Sequence, residues 1–393
     1  MIEKIKQLSE NLFEEIRDIR RYIHQNPELS FQENKTSEFI KQKLDEYGIK
    51  YKSGYVKTGI LGIIEGKKKG KVVALRTDID ALPIEEKNSV EYKSKNKGVM
   101  HACGHDVHLA SLLGSAKILY ELKNEFAGTI LLIFQPAEEK LPGGAKLMLE
   151  EGIFDEIKPD LIIGQHVMPT MKIGQVGFKE GMYMASTDEI YISVTGKGGH
   201  AAMSYQITDT VLIASHIIVA LQQIVSRNAK SDVPSVLSFG KVIANGATNI
   251  IPNQVKIEGT MRTMNEEWRK QMQEKIVKIA KFTAEAMGGK CEVEIISGYP
   301  ALINNEKITK QASNFAKQYL GNNNVEDMDI RMTAEDFAYF SQEYPATFYR
   351  LGTMNKEKGI INPLHSENFD IDENALKHSS GLMAWLAYKF LTE

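Results

Sequence analysis

The chain has 393 residues, more than the roughly 250 to 300 at which a single core stops growing, so two domains are expected. Apolar residues make up 42% and charged residues 25%, as in an ordinary globular protein, and a formal net charge of −3 gives no reason to expect nucleic acid or a membrane as a partner. The two cysteines cannot form a disulfide framework, and we find neither a signal-peptide core nor a run of about 18 apolar residues, so the sequence predicts a cytoplasmic protein.

Helical periodicity dominates the first fifty residues. Apolar side chains recur at spacings of three and four, at Ile5, Leu8, Leu12, Ile16, Ile19 and Ile23. This pattern predicts an amphipathic helix that ends near Asn26-Pro27. A second helix is predicted over 36–47, with Gly48 as its C-terminal cap.

Short β-branched runs then alternate with helical stretches. Strands are predicted at 60–64, 72–75, 129–134, 161–163 and 346–351, and helices at 106–122 and 373–391. This alternation predicts an α/β fold whose larger domain has a mostly parallel central sheet. Open sheets of this kind usually place their sites at the ends of the strands.

The middle of the chain follows a different order. Between 186 and 296 it reads strand, helix, strand, strand, helix, strand, which is the order of a ferredoxin-like α+β unit. We therefore predict an inserted domain over 186–296, with hinges near 184–187 and 297–300. The larger domain is then discontinuous, formed by 1–185 and 297–393.

A dense group of metal-binding residue types precedes the predicted helix at 106–122. Eight residues hold three imidazoles, one thiol and one carboxylate, at His101, Cys103, His105, Asp106 and His108. Thiolate and imidazole together favour zinc or a similar ion over calcium or magnesium. The alternative is a polar loop in which Asp106 caps the helix, and His101 and His108 could each support a ligand or be structural.

Carboxylates follow two of the predicted strands. Glu138 and Glu139 come after the strand at 129–134, so one could bind a metal while the other takes a proton. Asp78 and Asp80 follow the strand at 72–75 and are suited to orienting an imidazole. A solvated glutamate pair and turn-forming aspartates are the ordinary alternatives.

Two isolated histidines also fall in predicted strand-end loops. His166 follows the strand at 161–163, and His365 lies near the end of the chain. A lone histidine is more often a hydrogen-bonded surface or core residue than a ligand. Metal sites are nevertheless assembled from scattered positions of this kind.

The predicted inserted domain carries a glycine-rich loop with His200, followed by Asn249 and Arg262. The loop lacks the Gly-Lys-Ser/Thr ending of a phosphate-binding loop, so we reject nucleotide binding. Arg262 could bind a substrate carboxylate through two hydrogen bonds, although pairing with a local acid is an equal alternative.

Ordered motifs along nearly the whole chain resemble the dinuclear aminoacylases, hippurate hydrolases and carboxypeptidases, in the branch where cysteine replaces a bridging aspartate. The motifs are RYIHQNPEL at 21–29, LRTDIDALP at 75–83, MHACGHD at 100–106, FQPAEE at 134–139, GKGGHAA at 196–202, NIIP at 249–252 and TAEDF at 333–337.

This resemblance implies a role for each candidate. Two divalent ions, zinc or manganese with cobalt as a substitute in vitro, would be held by Cys103, His105, Glu139, His166 and His365, with Cys103 as the bridge. Glu138 would be the general base, His200 would reach the reacting carbonyl, and Asn249 and Arg262 would bind the substrate carboxylate. The inserted domain would act as a lid and form a homodimer or a dimer-based tetramer.

The implied activity is hydrolysis of the amide bond of N-acyl-L-amino acids by metal-activated water. A carboxypeptidase acting on short or N-blocked peptides would need the same residues, and a non-catalytic binding or scaffold protein is the alternative of another class. One departure from the family pattern stands after His200, where Ser204-Tyr205 replaces the usual Pro-His and alters the predicted lid loop.

Overall fold

The computed structural model describes all 393 residues. The chain divides into two compact units. The first comprises Met1–Gly181, Ile303–Asp329 and Asp336–Glu393, and the second comprises Met182–Leu302 and Ile330–Glu335. The predicted inserted segment, 186–296, lies within the second unit, and its limits as a domain stay a prediction.

Helices and strands alternate along most of the chain. The helices are α1 Ile2–Asn11, α2 Phe13–Gln25, α3 Asn34–Tyr47, α4 His105–Glu121, α5 Gly144–Glu150, α6 Thr210–Leu221, α7 Glu266–Ala286, α8 Glu306–Leu320, α9 Ala338–Glu343 and α10 Leu376–Thr392. The strands are β1 Lys50–Tyr55, β2 Gly59–Glu65, β3 Val72–Asp78, β4 Thr129–Gln135, β5 Leu161–Lys172, β6 Val176–Phe178, β7 Gly181–Met184, β8 Asp188–Thr195, β9 Gly199–His200, β10 Ser235–Ile243, β11 Ile250–Ile251, β12 Gln254–Thr263, β13 Lys290–Ser297, β14 Leu302–Asn304, β15 Val325–Asp327 and β16 Ala346–Met354.

The N-terminal region differs from its prediction in one respect. The single helix expected before Asn26 is two helices, α1 and α2, which meet at Leu12. The apolar spacing continues across Leu12, so periodicity alone could not reveal the break. Gly48 caps α3 in the left-handed conformation, with φ of 71°, as the sequence predicts.

The first unit is built on an eight-stranded sheet in the order β1-β2-β4-β3-β5-β16-β6-β15. Its centre, β4-β3-β5-β16, is parallel, whereas β1 and β2 are added antiparallel at one side. Helices α4 and α10 contact β3, and α4 is buried along almost its whole length. The mostly parallel α/β sheet predicted from the sequence is confirmed.

The second unit contains a four-stranded antiparallel sheet in the order β10-β12-β8-β13. Helices α6 and α7 contact each other and the sheet, and the buried residues of β8 alternate with more exposed ones. This order of strands and helices confirms the ferredoxin-like unit.

One helical segment of the second unit has an unusual composition. The first of the two helices predicted between 186 and 296 corresponds to α6, which is followed by a π-helical turn at Ile224–Asn228. By length and composition alone, Thr210–Asn228 is apolar enough to cross a membrane. In its most apolar stretch of 18 residues, 33% is buried. Leu212 and Val219 are 48% and 72% exposed, so α6 has an apolar face outside the core of its unit.

Candidate metal centre

Parallel pairing brings several sequence motifs to one edge of the large sheet. Strand β3 ends at Asp78 and lies between β4, which ends at Gln135, and β5, which contains His166. Because parallel strands end on the same side, the loops after β3 and β4 meet there. The prediction that His166 follows its strand is wrong. His166 lies within β5, because this strand continues to Lys172 through its pairing with β16.

Helix α4 begins at the same place because of a specific glycine. Gly104 has φ of 80°, and a Cβ atom there would lie 2.5 Å from Cγ2 of Val167 on β5. Only glycine combines this conformation with such a close approach. The turn therefore directs Cys103 and His105, on either side of Gly104, towards the strand that carries His166.

Five predicted ligands come together in the first unit. The donor atoms of Cys103, His105 and His166 all lie within 4.8 Å of one another, and so do those of Cys103, Glu139 and His365. Cys103 Sγ lies 3.4 Å from His166 Nε2, and Glu139 Oε1 lies 3.4 Å from His365 Nε2. Cys103 is common to both groups, which is the arrangement that a bridging ligand needs.

The two adjacent glutamates differ in their neighbours. His105 Nε2 lies 3.9 Å from a carboxylate oxygen of Glu138 and 3.9 Å from one of Glu139. Glu139 alone also joins the group of donors formed with Cys103 and His365. The position of Glu139 fits a metal ligand, and Glu138 stands beside the ligands.

Backbone contacts fix which nitrogen of each imidazole is available. His105 Nδ1 lies 2.9 Å from the Asp80 carbonyl oxygen, and His166 Nδ1 lies 2.8 Å from the Val167 carbonyl oxygen. A carbonyl oxygen can only accept, so each Nδ1 carries a hydrogen, and in the neutral ring Nε2 is the nitrogen that presents a lone pair. His105 Nε2 is buried and has no hydrogen-bond partner, which fits a metal-binding atom.

The electrostatics of the cluster also favour a cation. Burial and the carboxylates of Glu139 and Glu138 raise the pKa of the Cys103 thiol well above its usual range. Burial lowers the pKa of His105, but Asp78 and Asp80 outweigh it and raise this pKa to about 10. The carboxylate contributions to both shifts reflect nearby negative charge, which divalent cations would neutralise. Thiolate, imidazole and carboxylate donors fit zinc or a similar borderline ion.

Two aspartates support the imidazoles from behind. Asp78 Oδ1 accepts a hydrogen bond of 2.7 Å from His108 Nδ1, and His108 Nε2 accepts one of 2.9 Å from the Val167 N–H. Asp78 Oδ2 is 3.8 Å from His105 Nε2, whereas Asp80 Oδ1 lies 3.2 Å from His105 Nδ1. Asp80 is therefore the closer carboxylate to the candidate ligand, and Asp78 is hydrogen-bonded to His108.

A second buried cluster near the start of α4 was not predicted. Asp106 accepts hydrogen bonds of 2.7 Å from Arg20 Nε and 2.8 Å from His24 Nδ1, and all three side chains are buried. Asp106 thus ties α2 to α4 instead of capping a helix. The available signal was the pair Arg20 and His24, two polar residues one helical turn apart on the apolar face of α2.

The remaining predicted site residues belong to the second unit. His200 pairs with Ile250 in the short ribbon of β9 and β11, and the Ala201 N–H donates to the Asn249 carbonyl oxygen at 2.9 Å. The ribbon therefore places His200 beside Asn249. Arg262 lies in β12, half-buried, and its Nη1 donates to the Met332 carbonyl oxygen at 3.2 Å.

The sequence departure after His200 lies in a short 3-10 helix. This helix spans Ala201–Gln206, and the Tyr205 side chain in it is 79% exposed. Its hydroxyl accepts a hydrogen bond of 3.2 Å from Gln206 Nε2. The substitution therefore puts an aromatic side chain on the surface close to His200.

Known proteins with similar sequences and folds carry related activities. The N-acetyl-L-cysteine deacetylase of Bacillus subtilis (strain 168) is 42% identical over 365 residues, covering 92% of this chain and 85% of that protein. The thermostable carboxypeptidase 2 of Saccharolobus solfataricus is 38% identical over 393 residues, covering 99% of each chain. The crystal structure of Bacillus subtilis YXEP, a dinuclear metal-binding peptidase of the M20 family, matches with a TM-score of 0.83 and 34% identity, covering 97% of this chain and 99% of that one.

The fold and these relatives define the protein as a metal-dependent hydrolase that acts on carbon–nitrogen bonds. Residues 74–388 match the model of peptidase family M20/M25/M40, and the chain belongs to this family. The resemblance stated from the sequence motifs is thereby confirmed.

If the cluster holds two ions, removing metal should abolish hydrolysis, and restoring it should recover hydrolysis. Cys103→Ser should weaken metal binding by about tenfold or more, since a hydroxyl is a far poorer anionic ligand than a thiolate. Elemental analysis and chelator competition measure both effects. Cys291→Ser is the matched control, because Cys291 lies in β13 of the second unit and should leave metal content unchanged. Full activity of a verified metal-free preparation would contradict the prediction.

Proposed function

We propose that the protein hydrolyses the amide bond of N-acyl-L-amino acids, with Glu138 as the general base. The observation that carries the proposal is the different placement of two adjacent carboxylates. Glu138 and Glu139 both approach His105, but only Glu139 joins Cys103 and His365. Glu139 is thus suited to bind metal, and its neighbour Glu138 is suited to accept and return a proton.

We assign the metal sites to Cys103, His105, Glu139, His166 and His365, with Cys103 shared by both ions. The chemistry of these donors favours zinc or manganese as the physiological metal. When bound, two such ions would polarise the substrate carbonyl and lower the pKa of a water molecule towards about 7.

Glu138 is 6% exposed, so its carboxylate is shielded from bulk solvent at the side of the ligands. It would take the proton from the attacking water and later return it to the departing amine. His200 would donate a hydrogen bond to the oxygen on which negative charge develops during the attack. Both groups would act on the transition state more than on the bound substrate.

A carboxylate next to the scissile amide would be bound by Arg262 and Asn249. The burial of Arg262 lowers the pKa of its guanidinium, which shows a partly desolvated charge. The one hydrogen bond described above, from Nη1 to Met332, leaves donors of the planar fork for a second partner. A substrate carboxylate fits this geometry through two parallel hydrogen bonds.

Carboxypeptidase activity on short or N-blocked peptides is the second candidate. It is favoured by the 38% identity to thermostable carboxypeptidase 2 over the full chain. The N-acetyl-L-cysteine deacetylase supports the acyl-amino-acid substrate equally well. A non-catalytic scaffold is disfavoured because Glu138 and all five candidate ligands are present.

We further propose that the active form is a homodimer or a dimer-based tetramer in the cytoplasm. The apolar exposed face of α6, with Leu212 and Val219, would be covered by the same face of a second copy. His200 is an exposed residue of that unit, and we infer that it serves the site of the partner chain.

The adjacent glutamates should give opposite phenotypes. Glu138→Gln should keep metal content and melting temperature while lowering kcat by about 10² to 10⁴, the usual effect of losing a general base. Glu139→Gln should instead lose metal, because an amide is a weaker ligand than a carboxylate. Each variant is the matched control for the other, and measurement of metal content with kcat separates them. Exchanged phenotypes would show that the two roles are reversed.

Substrates with and without a free carboxylate test the proposed reaction and the carboxylate clamp, which is the proposed binding of the substrate carboxylate by Arg262 and Asn249. The wild-type enzyme should cleave N-acetyl- or N-benzoyl-L-amino acids and should be slow on their C-terminal amides, because Arg262 then lacks its partner. Arg262→Ala should slow cleavage of the substrates with a free carboxylate and hardly change cleavage of their amides. Initial rates on this panel, with blocked dipeptides included, also separate the two candidate activities.

Arg227→Ala serves as the control for loss of one positive charge, since Arg227 is exposed in the same unit. It should leave both classes of substrate unaffected. Equal cleavage of acids and amides by the wild type would rule out the clamp.

Mixing two inactive variants tests the role of His200. Glu138→Ala and His200→Ala should each be nearly inactive, with about 10² to 10³ lost in kcat when the oxyanion donor is missing. In a mixed dimer, one site would combine an intact Glu138 with the partner's intact histidine. Random co-refolding should therefore recover about a quarter of wild-type activity, since half of the dimers are mixed and each has one complete site.

The control mixture pairs Glu138→Ala with the double variant Glu138→Ala, His200→Ala, which cannot form a complete site in either arrangement. It should stay inactive. If the first mixture also stays inactive although mixed dimers are demonstrated, His200 serves its own chain or has no catalytic role.

A further inference from the structure

The turn between β4 and α5 is held by carboxylates through three successive backbone N–H groups. The Ala137 N–H donates to Glu33 Oε1 at 2.9 Å. The Glu138 and Glu139 N–H groups donate to the two oxygens of Asp80, at 3.1 and 3.0 Å. The backbone on which both functional glutamates stand is therefore fixed from one side by two buried acids.

This turn has a conformation that needs such support. Ala137 has φ of 53°, in the left-handed region that residues with a Cβ atom rarely adopt. Such conformations persist when the surrounding contacts determine them, and they cluster at functional sites. The conformation of Ala137 sets the direction in which the following residue, Glu138, leaves the strand.

Glu33 is fully buried, and its side chain makes two further hydrogen bonds. Oε1 also accepts the Phe31 N–H at 2.9 Å, and Phe31 is itself left-handed, with φ of 66°. Oε2 accepts a hydrogen bond of 2.9 Å from Thr58 Oγ1. One oxygen thus holds the two left-handed residues, Phe31 and Ala137, and the other connects to Thr58.

We propose that Glu33 is a positioning residue, which acts through the Ala137 N–H to aim Glu138 and Glu139 at the metal cluster. The inference rests on the proposed roles of these two glutamates. Asp80 has a related contact but also lies against His105, so a change there would disturb a candidate ligand directly. Glu33 has no such second contact among those described, and it gives the cleaner test.

The contact depends on an acceptor more than on charge. Burial and the nearby Asp80 carboxylate raise the pKa of Glu33 to about 7. The amide oxygen of a glutamine at this position could accept the same two N–H groups, while its NH₂ could donate to Thr58 Oγ1. A glutamine should therefore replace Glu33 functionally.

The experiment compares Glu33→Ala with Glu33→Gln in the full-length, metal-loaded protein. Glu33→Ala should lower zinc or manganese affinity by about 10- to 100-fold, as loss of an outer hydrogen-bond partner typically does. It should lower kcat by up to about 100-fold with KM nearly unchanged, because a shift of about 1 Å misplaces the base. Glu33→Gln should stay within about threefold of the wild type in affinity and kcat.

Thr58→Val is the matched control, since it removes the partner of Oε2 and leaves both contacts of Oε1. It should lower the melting temperature and leave metal affinity and kcat within about threefold of the wild type. If Glu33→Ala folds poorly, Glu33→Met keeps most of the volume, removes the acceptor and carries the same test.

Wild-type values of metal affinity and kcat in a folded Glu33→Ala or Glu33→Met protein would overturn the proposal. An equal loss in Glu33→Gln or in Thr58→Val would also overturn it, because the acceptor at Oε1 would then not be the cause. Metal affinity is measured without substrate, so this result stands even if the wild type fails to cleave N-acyl amino acids. Failure of the proposed function is thus distinguishable from failure of the proposed role of Glu33.

Discussion

The buried carboxylate of Asp80 is the contact on which the arrangement of the site depends. It lies at 2.6 to 3.2 Å from four groups: the Ser30 hydroxyl, the His105 ring and the backbone N–H groups of Glu138 and Glu139. An isolated carboxylate would not remain charged in such a place, and these donors keep the pKa of Asp80 low despite burial. One anion thus fixes a candidate ligand at the start of α4 relative to the turn after β4.

A second buried network contacts the same edge of the sheet. Arg76 on β3 donates to Asp78 at 2.7 Å and to Asp336 at 2.8 Å. Asp78 in turn accepts from His108, whose other ring nitrogen accepts the Val167 N–H on β5. Because each charged side chain in this network has an oppositely charged or hydrogen-bonded partner, the desolvation cost of burying the charge is offset. The network links β3, α4 and β5, and the last two of these elements carry the candidate ligands His105 and His166.

The sequence predicted what depends on local periodicity and on chemically unusual clusters. The strand–helix alternation and the βαββαβ order were readable because each element buries one face with its own period. The ligand types at Cys103 and His105 were readable because a packed core rarely contains such a density of donors. The break at Leu12 was not readable because the apolar spacing continues across it. The continuation of β5 past His166 was not readable because it depends on pairing with β16.

Contacts across long sequence separations explain what the sequence could not reveal. Glu33 reaches Ala137, which is 104 positions away, and Arg20 reaches Asp106, which is 86 positions away. In the sequence, Glu33 is one glutamate among many ordinary surface acids, and only the fold shows that its side chain is buried. Glu33 supplies an acceptor for the backbone N–H groups of Phe31 and Ala137, two residues in the left-handed conformation. The placement of Glu138 and Glu139 therefore depends on residues far from them in the chain. The short motif that contains the two glutamates does not include those residues.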